Sequence, residues 1–301
     1  MISRVDPPLV GCLPLVREAY RDDPVTADEC EECRSLAMVV VMHTYTINSL
    51  SSVADRLRDG GQLTGALVRM PCEELVEMCG VAGLDFVLID CEHGPADVID
   101  LRRHITVAQS RGMGALVRIG QGDPALTMRA LDHGADGIVA PHIDDAQQAE
   151  ELIRAVHYPP KGERGFATYS RAGDFGTLNA QEYRAARTAG IVVVVMLESP
   201  RAVHNAPDIL GVTGVDGYLV GPSDLSMSRS DDDPSLEELT EHAHEVGRRL
   251  DVARADIVGT IAQATAARHD GAALVVYNLT QLLMALLKDA ARMPPSEVGG
   301  L

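Results

Sequence analysis

Ile191-Val192-Val193-Val194-Val195-Met196-Leu197-Glu198-Ser199-Pro200 decides how the chain folds. Seven apolar residues, four of them Val, are too few for a membrane span and rich in the β-branched type that favours strands. An apolar run of this kind suits a strand covered on both faces, as in a parallel sheet. A carboxylate then follows at once, and Pro200 suits the first position of a helix.

The same alternation of short apolar runs and helical stretches repeats outward from this segment. Strands are expected at Thr64–Val68, Asp85–Ile89, Ala115–Arg118, Gly137–Ala140, Gly217–Val220 and among Ile257–Ile261 and Ala273–Tyr277, with a weaker one near Arg164–Ala167. Helices are expected at Pro71–Val81, Asp97–Arg111, Pro124–His133, Asp144–His157 and Leu236–Asp251. About eight βα units in about 250 residues is the usual size of a (β/α)8 TIM barrel, so the fold class is α/β. An open doubly wound sheet would more often carry a G-x-G-x-x-G turn after its first strand, and the sequence has none.

The domain division expected is an N-terminal extension, residues 1–49, followed by the barrel, residues 50–301. The extension holds Pro7-Pro8, the Asp22-Asp23-Pro24 turn and little periodicity. Its Cys30-x-x-Cys33 pair could begin a zinc site with Cys12 and His43, but a second pair at matching spacing is absent, so incidental thiols are the simpler reading.

Composition narrows the function. Across 301 residues the formal net charge is −18 and aromatics make up 3%, with no Trp. A phosphate backbone would be repelled, and single-stranded nucleic acid would find few rings to stack on, so no nucleic-acid partner is expected. No apolar run reaches the roughly 18 residues of a membrane span, and the start does not read as a signal peptide. The expected location is the cytoplasm, with the six Cys as reduced thiols.

The unusual polar residues fall just after predicted strands, where a barrel builds its active site. Asp90, Glu92 and His93 follow Leu88-Ile89, Arg118 ends Leu116-Val117, Glu198 ends the apolar run, and Asp224 follows Leu219-Val220 through Gly221-Pro222-Ser223. Glu198 is costly in that place unless a cation pairs with it, or unless it caps the helix begun by Pro200. Asp224 has an N-cap reading of its own. Together, on one barrel face, the two carboxylates suit Mg2+, Mn2+ or Co2+. His93, flanked by acids, is either a structural hydrogen-bonding residue or a base. Arg118 offers a planar fork for a substrate carboxylate.

The pieces Asp90-Cys91-Glu92-His93-Gly94-Pro95, Val117-Arg118, Tyr158-Pro159-Pro160-Lys161-Gly162-Glu163-Arg164-Gly165, Glu198-Ser199 and Gly221-Pro222-Ser223-Asp224-Leu225-Ser226 resemble the HpcH/HpaI family of metal-dependent class II pyruvate aldolases, with which macrophomate synthase is grouped. The resemblance implies a carbon–carbon lyase that forms or uses the enolate of pyruvate from a 4-hydroxy-2-oxo acid. It implies metal ligation by Glu198 and Asp224, catalysis by His93 with Asp90 beside it, and binding of the 2-oxo acid by Arg118 and the backbone at Gly221, Pro222 and Ser223. Asp132 matches an acid that serves the catalytic His across a subunit interface, which implies a homo-oligomer, up to a hexamer. Pyruvate or oxaloacetate is the implied substrate, with an aldehyde as second partner.

Two departures bear on substrate. Met196 stands where many members carry a Gln facing the substrate, and Met227–Asp233 replaces a Gly-rich loop. They keep open an oxaloacetate decarboxylase or a biosynthetic carbon–carbon bond former. A barrel that binds a 2-oxo acid without turnover is the alternative outside enzymes. A CoA-ester lyase would need a basic patch for phosphates, which the sequence does not place.

Overall fold

A computed structural model describes residues 52–94, 98–181, 183–184 and 190–292. Residues 1–49, with Cys12, Cys30, Cys33 and His43, lie outside the described residues, as does the expected domain boundary.

Eight parallel strands close into a barrel in chain order. They are β1 (Leu63–Val68), β2 (Phe86–Asp90), β3 (Gly114–Arg118), β4 (Gly137–Ala140), β5 (Val192–Leu197), β6 (Gly217–Val220), β7 (Ala253–Val258) and β8 (Leu274–Asn278). The first and last pair through Gly65 and Val276, which closes the cylinder. Helices alternate with the strands, so the chain is a (β/α)8 barrel as its periodicity predicts. Those that bear on the site are α1 (Val53–Arg58), α2 (Glu73–Val81), α3 (Val98–Ser110), α4 (Pro124–Asp132) and α5 (Ala146–Val156). After β5 come α6 (Pro200–His204) and α7 (Ala206–Leu210), and α8 (Pro222–Ser228) follows β6. The remainder are α9 (Leu236–Leu250), α10 (Ile261–His269) and α11 (Leu279–Ala291).

Strand side chains alternate, and here the alternation builds two cores. Leu63 and Leu67, Phe86 and Leu88, Leu116, Val139, Val192, Val194 and Met196 fill the barrel interior. Their neighbours Val87, Ile89, Val117, Ile138, Val193, Val195 and Leu197 face the helices. The interior is tight. A Cβ on Gly65 would sit 2.4 Å from the Phe86 ring, so glycine makes room for that large aromatic inside the barrel. Full burial of such a ring stabilises by roughly 1.5–3 kcal/mol. Helix α1 closes the lower end, with Val53 and Ala54 joining the interior cluster.

Two elements differ from expectation. Residues 164–167 form no strand. Arg164 instead donates its backbone N–H to His157 O and its side chain to Asp132, which folds the segment back against α4 and α5. The seventh strand begins earlier than Ile257, at Ala253. Its Arg254 is buried yet paired with Asp256 at 3.2 Å and Asp270 at 2.7 Å, so a strand that looks too polar is internally neutralised.

Among the described residues Cys72, Cys79 and Cys91 are free thiols, and no helix is long and apolar enough to cross a membrane.

Candidate active site

The inward alternation of each strand runs one step past its end and delivers the polar groups to the C-terminal mouth. Val192, Val194 and Met196 point inward, and so does Glu198 after them. Phe86 and Leu88 lead to Asp90, Leu116 leads to Arg118, and Leu63 and Leu67 lead to Arg69. The mouth is therefore built by the pleat of the strands rather than by long loops.

Asp90 lies at its centre with a fully buried side chain. Arg118 grips it with two bonds, Nε to Oδ1 at 2.9 Å and Nη2 to Oδ2 at 2.6 Å, and Arg69 Nε donates to Oδ2 at 2.7 Å. The backbone N–H groups of Glu92 and His93 also donate to Oδ1, each at 3.2 Å. Burial works against its ionisation, but the hydrogen bonds from Arg118 and Arg69 and the charge of Arg118 outweigh that and hold the carboxyl down at about 2. Asp90 thus meets His93 through the backbone and holds Arg118 in place.

Glu198 is 3% exposed and follows β5 directly. The helix-capping role left open for it belongs to Ser199, whose Oγ accepts the N–H of Ala202 at 2.9 Å. Burial pushes the Glu198 carboxyl above the usual carboxylate range. The N–H and charge of His142 oppose the rise, while Asp224 and Glu92 add to it by repulsion. Asp224 is exposed in the first turn of α8, whose N-cap is Gly221, so the capping reading of Asp224 is corrected as well. A Cβ on Gly221 would lie 2.4 Å from Glu198 Oε1, so only glycine lets the α8 turn close against that carboxylate. Pro222 and Ser223 are exposed beside it.

The other expected residues are spread more widely. The His93 side chain is 57% exposed, with Nε2 3.6 Å from Glu92 Oε2. Met196 is 2% exposed inside the barrel, one layer beneath Glu198, and is not brought to the surface of the mouth. Asp132 ends α4, which runs back from the mouth toward the start of β4, and it pairs there with the buried Arg164 at 2.6 Å. Within one chain Asp132 and His93 are therefore at opposite ends of the barrel.

Three further groups belong to the mouth. Arg69 is one. Glu92 is the second, with Oε2 3.4 Å from Arg118 Nε. The third is His142, after β4, with Nδ1 3.4 Å from Glu198 and Nε2 3.7 Å from Glu92. The signal that found Glu198 and Arg118, a polar residue just past a strand, was present in Ala140-Pro141-His142 too.

The donor chemistry fits a divalent cation. Two guanidinium groups, Arg69 and Arg118, stand among four carboxylates, Asp90, Glu92, Glu198 and Asp224, which leaves a formal −2. Among the described residues no group of three or more His, Cys, Asp and Glu is arranged to hold a metal. An ion such as Mg2+ is typically bound by one or two carboxylates, with water and substrate completing its shell.

Fold and mouth together define a (β/α)8-barrel enzyme that gathers buried acids and a held arginine at its strand tips. The chain belongs to the HpcH/HpaI aldolase/citrate lyase family, whose sequence profile matches residues 68–291. Both kinds of enzyme in that name are lyases, and the chain is an enzyme of that class. It is 35% identical over 180 residues to a hydroxypyruvate/pyruvate aldolase of Roseobacter denitrificans, covering 60% of this chain and 70% of the relative. It is 37% identical over 150 residues to a 2-dehydro-3,6-dideoxy-6-sulfogluconate aldolase of Pseudomonas putida, covering 50% of this chain and 58% of that relative. The second match thus spans little more than half the relative's length. Among solved structures, an HpcH/HpaI aldolase/citrate lyase family protein from Burkholderia cenocepacia superposes with a TM-score of 0.74 at 28% identity, over 80% of this chain and 97% of that one. Macrophomate synthase, at 21% identity, has a TM-score of 0.70 over 80% of this chain and 89% of its own and shares the fold.

Proposed function

We propose that the enzyme is a metal-dependent class II aldolase that cleaves a 4-hydroxy-2-oxo acid into pyruvate and an aldehyde, or runs the reverse addition. The observation that carries this reading is the buried Glu198 carboxylate set against Asp224 and Glu92 without an equal positive charge. Glu198 and Asp224 would hold the divalent ion, Mg2+, Mn2+ or Co2+. When bound, it supplies Lewis-acid charge that stabilises the enolate of the 2-oxo acid.

The chain's own groups do the rest. Arg118, fixed by both oxygens of Asp90, keeps a guanidinium at a set place and angle to orient the substrate carboxylate. The α8 turn at Gly221, Pro222 and Ser223 borders the same end of the substrate. His93, at the exposed rim beside Glu92, takes the proton from the 4-hydroxyl as the C3–C4 bond breaks to leave aldehyde and enolate. That proton passes to C3 to complete pyruvate, and the addition direction reverses both transfers. The assembly carried by this reading is a homo-oligomer, up to a hexamer. It is supported by α11, which has no buried residue and exposes Met284, Leu286 and Leu287.

Exchange of the C3 protons of pyruvate in D2O tests the enolate chemistry without an aldehyde. Exchange is expected with Mg2+ or Mn2+, is lost on exhaustive chelation, and falls by at least about 10²-fold in Glu198→Gln and Asp224→Ala. Calorimetric titration of the metal should show weakened binding in both variants. Full exchange by metal-stripped protein would overturn the reading.

A further inference from the structure

Strand order places β4 between β3, which carries Arg118, and β5, which leads to Glu198. His142 follows β4 and so stands in the gap between those two groups. Its backbone has φ of 53°, in the left-handed region that costs a residue with a Cβ about 1 kcal/mol or more. Two main-chain bonds hold the turn: His142 N–H donates to Glu198 Oε2 at 3.0 Å, and Ile143 N–H donates to Met196 O at 3.3 Å.

The ring has no such anchors. Its nitrogens approach Glu198 at 3.4 Å and Glu92 at 3.7 Å, contacts too long or ill-aligned for strong hydrogen bonds. Away from those acids, His142 lines a cavity of about 660 Å3 that runs between α4 and α5. Ile119, Met128 and Leu152 supply apolar lining there, and Thr127, Gln148 and Arg154 supply polar groups. That volume suits a ligand well beyond a short aldehyde in size. The imidazole therefore stands between the acid cluster and a roomy, mixed-polarity space.

We propose that the His142 ring is the wall that limits the length of the acceptor aldehyde. With the ring in place the site takes short hydroxyaldehydes. Without it, the cavity between α4 and α5 joins the site and admits longer hydroxylated chains. The backbone fixes where the ring sits, and its bulk rather than its nitrogens does the selecting. This rests on the aldolase reading above, which supplies the aldehyde.

The test compares kcat/KM for pyruvate addition to glycolaldehyde and to erythrose, as a ratio, in wild type, His142→Gly and His142→Phe. Gly accepts the left-handed backbone, and Phe keeps the bulk while removing the nitrogens. His142→Gly should shift the ratio toward erythrose by about tenfold or more, the scale on which a pocket discriminates by size. His142→Phe should keep the wild-type ratio. An unmoved ratio in His142→Gly overturns the proposal, and so does a shift in His142→Phe as large as that in His142→Gly. Should His142→Phe fail to fold, His142→Leu takes its place with the same two outcomes. Pyruvate C3 exchange in the wild type separates the two readings. If it is absent with metal, the aldolase assignment falls; if it is present and the ratio does not move, only the wall falls.

Discussion

Asp90 and Glu198 are two carboxylates in one barrel mouth, and their surroundings shift them in opposite directions. Both are buried. Asp90 accepts from two arginines and is held at about 2, whereas the recorded hydrogen bond to the Glu198 side chain is a single backbone N–H, and burial pushes that carboxyl up. The first is a finished structural pair, and the second is the carboxylate proposed above as a metal ligand. For a depressed carboxyl such as Asp90, the stabilisation is present above its unfolded value near 3.9 and is lost as pH falls through about 2. Asp90→Asn should therefore cost about 3–5 kcal/mol at pH 7, because it leaves Arg118 buried without its counter-charge. Urea unfolding between pH 7 and pH 2 would check both parts. The gap between variant and wild type should narrow as pH falls below about 4, and a gap independent of pH would show that shape rather than charge is what Asp90 provides.

At the scale of elements, period-two alternation made most of the barrel and half of its mouth legible. Val192 to Glu198 could be read straight through because an inward residue two steps past Met196 has to meet the barrel opening. Two elements resisted for the same reason, which is that their buried charges are cancelled by partners distant in sequence. Arg254 in β7 depends on Asp270, and Arg164 on Asp132. His142 was missed differently: it stands just past an expected strand, but only the left-handed turn there brings its ring to Glu198 and Glu92. Asp132 was visible at the end of the expected helix Pro124–His133, but its ion pair with Arg164 was not. The interior offers a direct check on the packing of β1 against β2. Gly65→Ala would press a methyl into the Phe86 ring at 2.4 Å, and should destabilise by about 1–3 kcal/mol. Phe86→Leu in the same chain should recover part of that loss, so that the double variant is more stable than the sum of the two single losses. Additive losses would mean that the strand rather than the ring absorbs the added carbon.

For the whole molecule, the question is whether one chain makes a complete site. Glu198, Asp224, Arg118 and His93 all come to one mouth, yet Asp132 lies at the other end of its own barrel, bound to Arg164. The family resemblance gives that acid a role beside the catalytic histidine of a neighbouring subunit, and the exposed leucines of α11 give the chain a reason to associate. Subunit mixing discriminates between a shared site and a purely internal salt bridge. His93→Ala removes the proposed base and Asp132→Asn removes the proposed second acid, so each protein alone should be nearly inactive. In a randomly mixed closed ring, sites that take His93 from one parent and Asp132 from the other recover both groups, about a quarter of the total. Mixing the two after dissociation should then restore about that fraction of wild-type aldol cleavage, and light scattering should report the same oligomer as the wild type. If Asp132 serves only Arg164 in its own chain, Asp132→Asn should lower the melting temperature, and mixing should yield no more activity than the two parents contribute separately.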